Sequence, residues 1–149
     1  MTTRRSALKA LTAVLLTACQ STLMRLRGFK VVHVATIDKV PPGGAYRTKL
    51  AGEEPIIVVN VDGEVRAFEA VCTHEGCPLG WNPTQHLIRC PCHGSAFNTR
   101  GEVVNGPAKL PLKAYEAYVE DGLIAVAYLP NDTTTSASKS ELRARSIRP

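Results

Sequence analysis

CTHEGCPLGW, residues 72–81, and CPCHGSAF, residues 90–97, hold four of the five cysteines and two of the four histidines in this 149-residue chain. Thiolates are soft donors that select iron–sulfur clusters, zinc or copper(I), and imidazole suits zinc, copper and iron. The second segment begins only thirteen residues after Cys77. This concentration of soft ligands predicts one metal centre built from two neighbouring loops.

The ligand spacing separates the candidate metals. A structural zinc site usually brings Cys-x2–4-Cys and His-x3–5-His pairs, which this chain does not match cleanly. It offers the pairs Cys72/His74 and Cys90/His93, with two cysteines left over. Two cysteines on one iron and two histidines on the other make a [2Fe–2S] centre of mixed ligation. A zinc-stabilised binding module or a copper site is the alternative, which metal analysis would separate.

Both segments closely resemble the two cluster-binding boxes of the Rieske family. The resemblance is strongest to its disulfide-containing branch, found in quinol–cytochrome c and quinol–plastocyanin oxidoreductases, and covers residues 29–129. It implies that Cys72 and Cys90 hold the inner iron of a Rieske [2Fe–2S] cluster, and that His74 and His93 hold the outer iron near the surface. It also implies a disulfide between the remaining cysteines of the boxes, Cys77 and Cys92.

The resemblance assigns roles to four neighbours of the cluster. Gly94 permits close approach of the backbone. The hydroxyl of Ser95 would hydrogen-bond a bridging sulfide and raise the reduction potential. Pro107, within Gly-Pro-Ala, belongs to a loop that shields the cluster on a third side. Phe97 stands where the high-potential branch commonly carries a tyrosine that donates to a ligand sulfur, so we expect a lower potential here.

The rest of the central region follows a period of two, which is typical of strands. Asp62-Gly63 and Asp121-Gly122 predict tight hairpins. Strands are predicted over residues 30–37, 55–61, 65–68, 86–89, 102–104, 115–119 and 123–128. The predicted fold is all-β, a small antiparallel sandwich or barrel of the Rieske type with cluster-binding loops. His33 and His86 are expected to be surface or structural residues, not ligands.

The N-terminus has the architecture of an export signal. Residues 1–18 combine a positive region with an apolar run of about ten residues, whereas a spanning helix needs roughly 20. Arg4-Arg5 resembles a twin-arginine signal, and a general secretion signal is the alternative. Residues 16–19 resemble a lipobox, which predicts lipidation of Cys19; an incidental cysteine is the alternative. Residues 19–28 are predicted as a linker, 29–130 as the domain and 131–149 as a disordered tail.

The charge pattern limits the classes of partner that the protein can bind. The chain carries a net charge of +5, but residues 28–130 hold nine basic and eleven acidic residues, without a basic face that nucleic acid would need. No nucleophile or general-base pair accompanies the ligands. We expect an electron-transfer subunit of a quinol-oxidising complex, lipid-anchored outside the cytoplasm, with quinol, a cytochrome or a larger oxidoreductase subunit as partners. The alternatives are a free periplasmic carrier, the small subunit of an arsenite-oxidase-like molybdenum enzyme or, third, an oxygenase ferredoxin.

Overall fold

The computed structural model describes residues 22–50 and 54–130, which form ten β-strands in two antiparallel sheets. The all-β prediction is confirmed. The predicted signal peptide, Cys19 and the predicted tail lie outside the described residues. The strands are β1 (Lys30–Thr36), β2 (Ala45–Lys49), β3 (Pro55–Val61), β4 (Glu64–Glu69), β5 (Gly80–Asn82), β6 (Leu87–Arg89), β7 (Ala96–Phe97), β8 (Val103–Asn105), β9 (Ala114–Glu120) and β10 (Leu123–Tyr128).

The larger sheet has six strands in the order β1-β10-β9-β4-β3-β2. Strand β3, between β4 and the edge strand β2, reads Pro-Ile-Ile-Val-Val-Asn-Val because both of its faces are covered. Ile57 and Val59 point into one apolar cluster, and Ile56 and Val58 into another. One continuous apolar run therefore contributes side chains to two separate cores.

The six-stranded sheet is curled. Strand β9 pairs along most of its length with β10, but it joins β4 through only two residue pairs, at Ala114 and Tyr115. Beyond that seam the two halves face each other, and Val58 of β3 packs in the same buried cluster as Ile124 and Val126 of β10. The result is a curled half-barrel that wraps around its own core.

The smaller sheet, β5-β6-β7-β8, is inserted between β4 and β9. Its apolar side chains, Leu79, Ile88 and Phe97 among them, pack in one buried core with Phe68 of β4. The chain leaves and re-enters the larger sheet at one place, because the Glu69 N–H donates to the Lys113 carbonyl at 2.8 Å. This inserted sheet carries both ligand-rich loops.

Both predicted Asp-Gly hairpins are present. Asp62 and Gly63 have φ of 54° and 94°, and Asp121 and Gly122 have φ of 51° and 76°. Positive φ at both central residues is the requirement of the tight turn that suits twisted strands. The buried Asn60 fixes the first hairpin, because its Oδ1 accepts from the Gly63 N–H at 2.9 Å and its Nδ2 donates to the Val40 carbonyl at 2.7 Å.

The structure differs from the predicted elements in several places. Strands β2, β5 and β7 were not predicted. The strand predicted at residue 86 begins at Leu87, because His86 has a φ of 52° and belongs to the preceding turn. The first strand ends at Thr36 and passes into a 3-10 turn, Ile37–Lys39. Residues 22–26, inside the predicted linker, are helical. Among the described residues, no helix is long and apolar enough to cross a membrane.

Candidate metal centre

The two ligand-rich loops are built in the same way. In the first, Cys72 donates its N–H to the Cys77 carbonyl at 2.8 Å and accepts at its own carbonyl from Gly76 at 2.9 Å. In the second, Cys90 donates to the Ser95 carbonyl at 2.8 Å and accepts from Gly94 at 3.2 Å. Each loop is thus a tight turn between a cysteine and a residue five positions later.

Each turn needs a glycine at the same position, four residues after its first cysteine. Gly76 and Gly94 have φ of 78° and 76°, in the left-handed region that glycine enters without penalty. The glycine predicted to permit close backbone approach, Gly94, therefore also has a conformational role. Its partner in the first loop was not singled out from the sequence.

The structure places the sulfur donors inside and the imidazoles outside. Cys72 and Cys90 are both free thiols, each 2% exposed, in the core beneath the inserted sheet. The side chains of His74 and His93 are 33% and 48% exposed. Their ring centroids lie 5.3 Å apart at an interplanar angle of 79°. This arrangement brings all four predicted ligands to one end of the inserted sheet.

The predicted disulfide is confirmed. Cys77 and Cys92 are bonded, with Cα atoms 6.5 Å apart. Because one cysteine comes from each loop, the bond joins the two loops covalently. It restricts the relative movement of the buried thiols and the exposed imidazoles, and so adds to the packing that holds the two loops together.

A third segment completes the wall around the loops. The fully buried Ser95 Oγ accepts from the backbone N–H of Ala108 at 3.0 Å, and the Thr73 hydroxyl donates to the Leu110 carbonyl at 2.7 Å. Pro107 lies in this segment after a cis peptide bond and is exposed. The segment predicted as a shield therefore contacts both loops.

One residue at the site was not singled out from the sequence. The Glu75 carboxylate lies 3.9 Å from Nε2 of His74 and 3.7 Å from Nδ1 of His93. It is 46% exposed, and it brings a negative charge close to one ring nitrogen of each histidine. Its position directly after His74 was the available signal, but its proximity to His93 depends on how the two loops meet.

Two aromatic residues and two histidines near the loops or elsewhere in the fold have structural positions. Phe97 is completely buried in the same core as Cys72 and Cys90. The Trp81 indole N–H donates to the Gly43 carbonyl at 2.9 Å, and its ring lies 6.1 Å from that of His86. His33, in β1, faces Glu120 at 3.7 Å. His33 and His86 are thus not among the side chains gathered at the two loops.

The donor set fits a [2Fe–2S] cluster of mixed ligation. Two buried thiols provide soft ligands for one iron, and two half-exposed imidazoles provide ligands for a second iron nearer the surface. Ser95 supports the fit, because its buried oxygen is the acceptor in its bond with Ala108 and its hydroxyl hydrogen stays available for a cluster sulfur. Fold and site together define a small iron–sulfur protein whose cofactor lies at the surface.

Comparison with known proteins gives the same class. The family model for the Rieske [2Fe-2S] domain matches residues 30–116, and the chain belongs to this family. Its cofactor is a Rieske-type [2Fe–2S] cluster. The chain is 40% identical over 86 residues to the cytochrome b6-f complex iron-sulfur subunit of Chlorobaculum tepidum, covering 58% of this chain and 48% of that protein. It is 39% identical over 112 residues to a chloroplast subunit of the same name from Nicotiana tabacum, covering 72% and 49%.

Solved structures share the fold. The plasma membrane Rieske protein PetC3 of Synechocystis superposes with a TM-score of 0.58 at 32% identity, covering 64% of this chain and 97% of that one. The ferredoxin of carbazole 1,9a-dioxygenase from Nocardioides aromaticivorans gives 0.57 at 29% identity, covering 65% and 96%. By contrast, the chain spans about half the length of the curated relatives it matches.

Proposed function

We propose that this protein transfers single electrons through its Rieske cluster as the electron-transfer subunit of a membrane-associated, quinol-oxidising complex. The observation that carries the proposal is the exposed edge-to-face pair His74 and His93 above two buried thiols. This arrangement opens the cofactor to a partner on one side only. Relatives named as cytochrome b6-f iron-sulfur subunits support the assignment to a quinol-oxidising complex.

In this proposal each box supplies one ligand to each iron. Cys72 and Cys90 hold the inner iron, and His74 and His93 hold the outer iron. The bound cluster supplies one-electron oxidation and reduction. In this proposal the side chains hold the cluster and position its partner, and the protein acts as the electron-carrying part of a larger enzyme.

The chain's own residues position the substrate and shield the centre. An imidazole nitrogen of His74 or His93 that faces solvent accepts a hydrogen bond from a quinol hydroxyl. The disulfide and the segment from Pro107 to Leu110 keep water away from the buried thiols. Ser95 donates a hydrogen bond toward the cluster, which favours the reduced, more electron-rich state.

We also propose that the protein acts outside the cytoplasm and is anchored by lipid at Cys19. The support is the order of features in residues 1–19: two arginines, a short apolar run and a small residue before the cysteine. The disulfide agrees with this placement, since disulfides persist in oxidising compartments. A twin-arginine signal would suit a protein that must carry a preformed cofactor, because that route moves folded proteins.

A free periplasmic carrier, or a small subunit of an arsenite-oxidase-like molybdenum enzyme, is the second candidate. The favouring observation is that this domain covers 96% of a dioxygenase ferredoxin, so the same fold exists as a separate carrier. We expect the Cys77–Cys92 disulfide to distinguish this protein from the oxygenase ferredoxins.

The test is a redox titration of the purified protein followed by electron paramagnetic resonance at two pH values. Rieske centres span roughly −150 to +300 mV. A potential in the upper part of that range that falls as pH rises supports proton-coupled quinol oxidation. A low potential that does not change with pH supports the ferredoxin-like carrier. Zinc in place of iron, with no paramagnetic signal, would refute both.

A further inference from the structure

Three sulfur atoms lie together beneath the loops. The Sγ atoms of Cys77, Cys90 and Cys92 are all within 4.8 Å of one another. Cys77 and Cys92 form the disulfide, whereas Cys90 is a free thiol. Cys72, the second free thiol of the described residues, is not a member of this group. Cys90 is therefore the free thiol of the described residues whose sulfur lies within 4.8 Å of both sulfurs of the disulfide.

We propose that, when the chain lacks its cluster, Cys90 exchanges with the disulfide to give a Cys77–Cys90 bond and a free Cys92. Without a cluster to hold it, the Cys90 thiolate moves into line with the disulfide and attacks the Cys77 sulfur, the bond to Cys92 breaks, and the proton given up by Cys90 ends on the Cys92 sulfur. One disulfide and one thiol are present before and after. The step needs no oxidant or reductant.

The direction of exchange follows from exposure. Cys92 is exposed and Cys77 is half-buried. Expulsion of Cys92 therefore releases the leaving charge into water, whereas expulsion of Cys77 would leave it partly buried. The favoured product also still joins the two loops, while a Cys90–Cys92 bond would lie within one loop and release the other. Cross-linking distant segments restricts the unfolded chain, so the favoured product keeps that stabilisation.

The consequence is that loss of the cluster changes the disulfide pairing of the chain. While the Cys77–Cys90 bond is present, the chain lacks one of its proposed ligand thiols, and it can take up a cluster only after the reverse exchange or reduction frees Cys90. In the loaded protein, the proposed bond from Cys90 to iron withholds that sulfur from exchange. This protective effect rests on the proposed ligand role, whereas the exchange itself rests on the sulfur distances. Cluster insertion must then precede oxidation of the chain.

The test uses the full protein, purified loaded and without thiol reagents. One portion is kept intact and one is stripped of iron by an anaerobic chelator. Both are alkylated with iodoacetamide during denaturation, digested and mapped by mass spectrometry, with fragmentation on either side of Pro91 to separate Cys90 from Cys92. We expect Cys77–Cys92 in the intact portion. The stripped portion should show Cys77–Cys90, with alkyl groups on Cys72 and Cys92 in most molecules.

Two variants, both prepared free of the cluster, are matched controls. Cys90→Ser should retain Cys77–Cys92 fully, because the attacking sulfur is gone. Cys72→Ser should still exchange, because Cys72 lies outside the sulfur group. A stripped wild type that keeps Cys77–Cys92 and alkylates Cys90 overturns the proposal, as does a Cys90–Cys92 product. Iron content and the paramagnetic signal of the starting sample test the proposed function separately.

Discussion

The buried hydroxyl oxygen of Ser95 accepts a hydrogen bond from the backbone N–H of Ala108 at 3.0 Å. The contact joins the second cluster loop to the shielding segment around Pro107. Because the oxygen acts as acceptor there, its hydrogen is free to point toward another acceptor. The shielding segment therefore orients the hydroxyl in addition to covering the cluster.

Ser95→Ala should lower the reduction potential, because the reduced cluster loses a hydrogen bond that stabilises its added charge. A hydrogen bond to a charged group contributes about 1.5–3 kcal/mol, or roughly 60–130 mV for one electron. Redox titration of the purified variant measures it. Thr73→Val is the matched control: its hydroxyl donates to the Leu110 carbonyl, so its loss should loosen the same segment without a comparable shift. Equal shifts in both variants would contradict the assignment.

Phe97→Tyr should raise the potential. Phe97 shares a core with both proposed ligand cysteines, and a hydroxyl added there is expected to donate to a ligand sulfur. The expected shift is on the order of tens of millivolts, as for one neutral hydrogen bond of about 1 kcal/mol. Phe68→Tyr adds a hydroxyl to another phenylalanine of the same core and controls for packing effects. An unchanged potential in Phe97→Tyr would contradict the expected hydrogen bond from position 97 to a ligand sulfur.

Glu75→Gln should also raise the potential. Its carboxylate lies within 4 Å of both histidine rings, so its negative charge opposes the arrival of an electron. With solvent screening, the expected effect is roughly 1 kcal/mol, or about 40 mV for one electron. High salt should shrink the difference. Asp121→Asn removes the same charge from the distant β9–β10 hairpin and should leave the potential within error; a shift there as large as that of Glu75→Gln would argue against a local effect.

Tyr118→Phe should stabilise the fold by about 1 kcal/mol. Within residues 22–50 and 54–130, no group hydrogen-bonds the buried Tyr118 hydroxyl, and an unpaired buried hydroxyl is costly. Burial raises the pKa of Tyr118, with Glu120 adding to the shift. The unfolded phenol ionises near pH 10, so wild type should lose additional stability as pH rises above that value, and the variant should not. Urea unfolding at pH 7 and above pH 10 measures both effects, and a less stable variant at both values would refute the account.

Replacing Arg4-Arg5 with Lys-Lys should leave the protein, with its cluster, on the cytoplasmic side of the membrane. The twin-arginine route requires the arginine pair, whereas a general secretion signal needs only positive charge. Cell fractionation followed by paramagnetic resonance of each fraction measures the distribution. Normal export of the lysine variant would remove the twin-arginine assignment and leave a general secretion signal.

The sequence predicted the elements whose chemistry is local. Asp62-Gly63 and Asp121-Gly122 determine their own turns, and the apolar run of β3 reports its burial. Strand β2 was missed because it is an edge strand with charged residues on its exposed positions. Strands β5 and β7 have only three and two residues, and their pairing partners rather than their composition define them.

The site followed the same division. The disulfide followed from the resemblance of the two boxes to the Rieske family and is present in the structure, whereas the assignment of ligands to the two irons stays a prediction. The contact of Glu75 with His93, the bond from Ala108 to Ser95 and the approach of Cys90 to the disulfide could not be predicted. Each depends on how two separate loops meet, and spacing along one chain does not contain that distance.

The hydrogen bond between Glu69 and Lys113 has an evolutionary consequence. The ligand-bearing insertion leaves and rejoins the larger sheet at adjacent backbone positions. It could therefore be exchanged as one unit while the larger sheet stays the same. A gene rearrangement could replace everything between those two residues without breaking a strand of the larger sheet. A replacement insertion would have to match the apolar face of the larger sheet that includes Ile57, Val59 and Phe68. Redox centres of different potential could thus be exchanged on one conserved base.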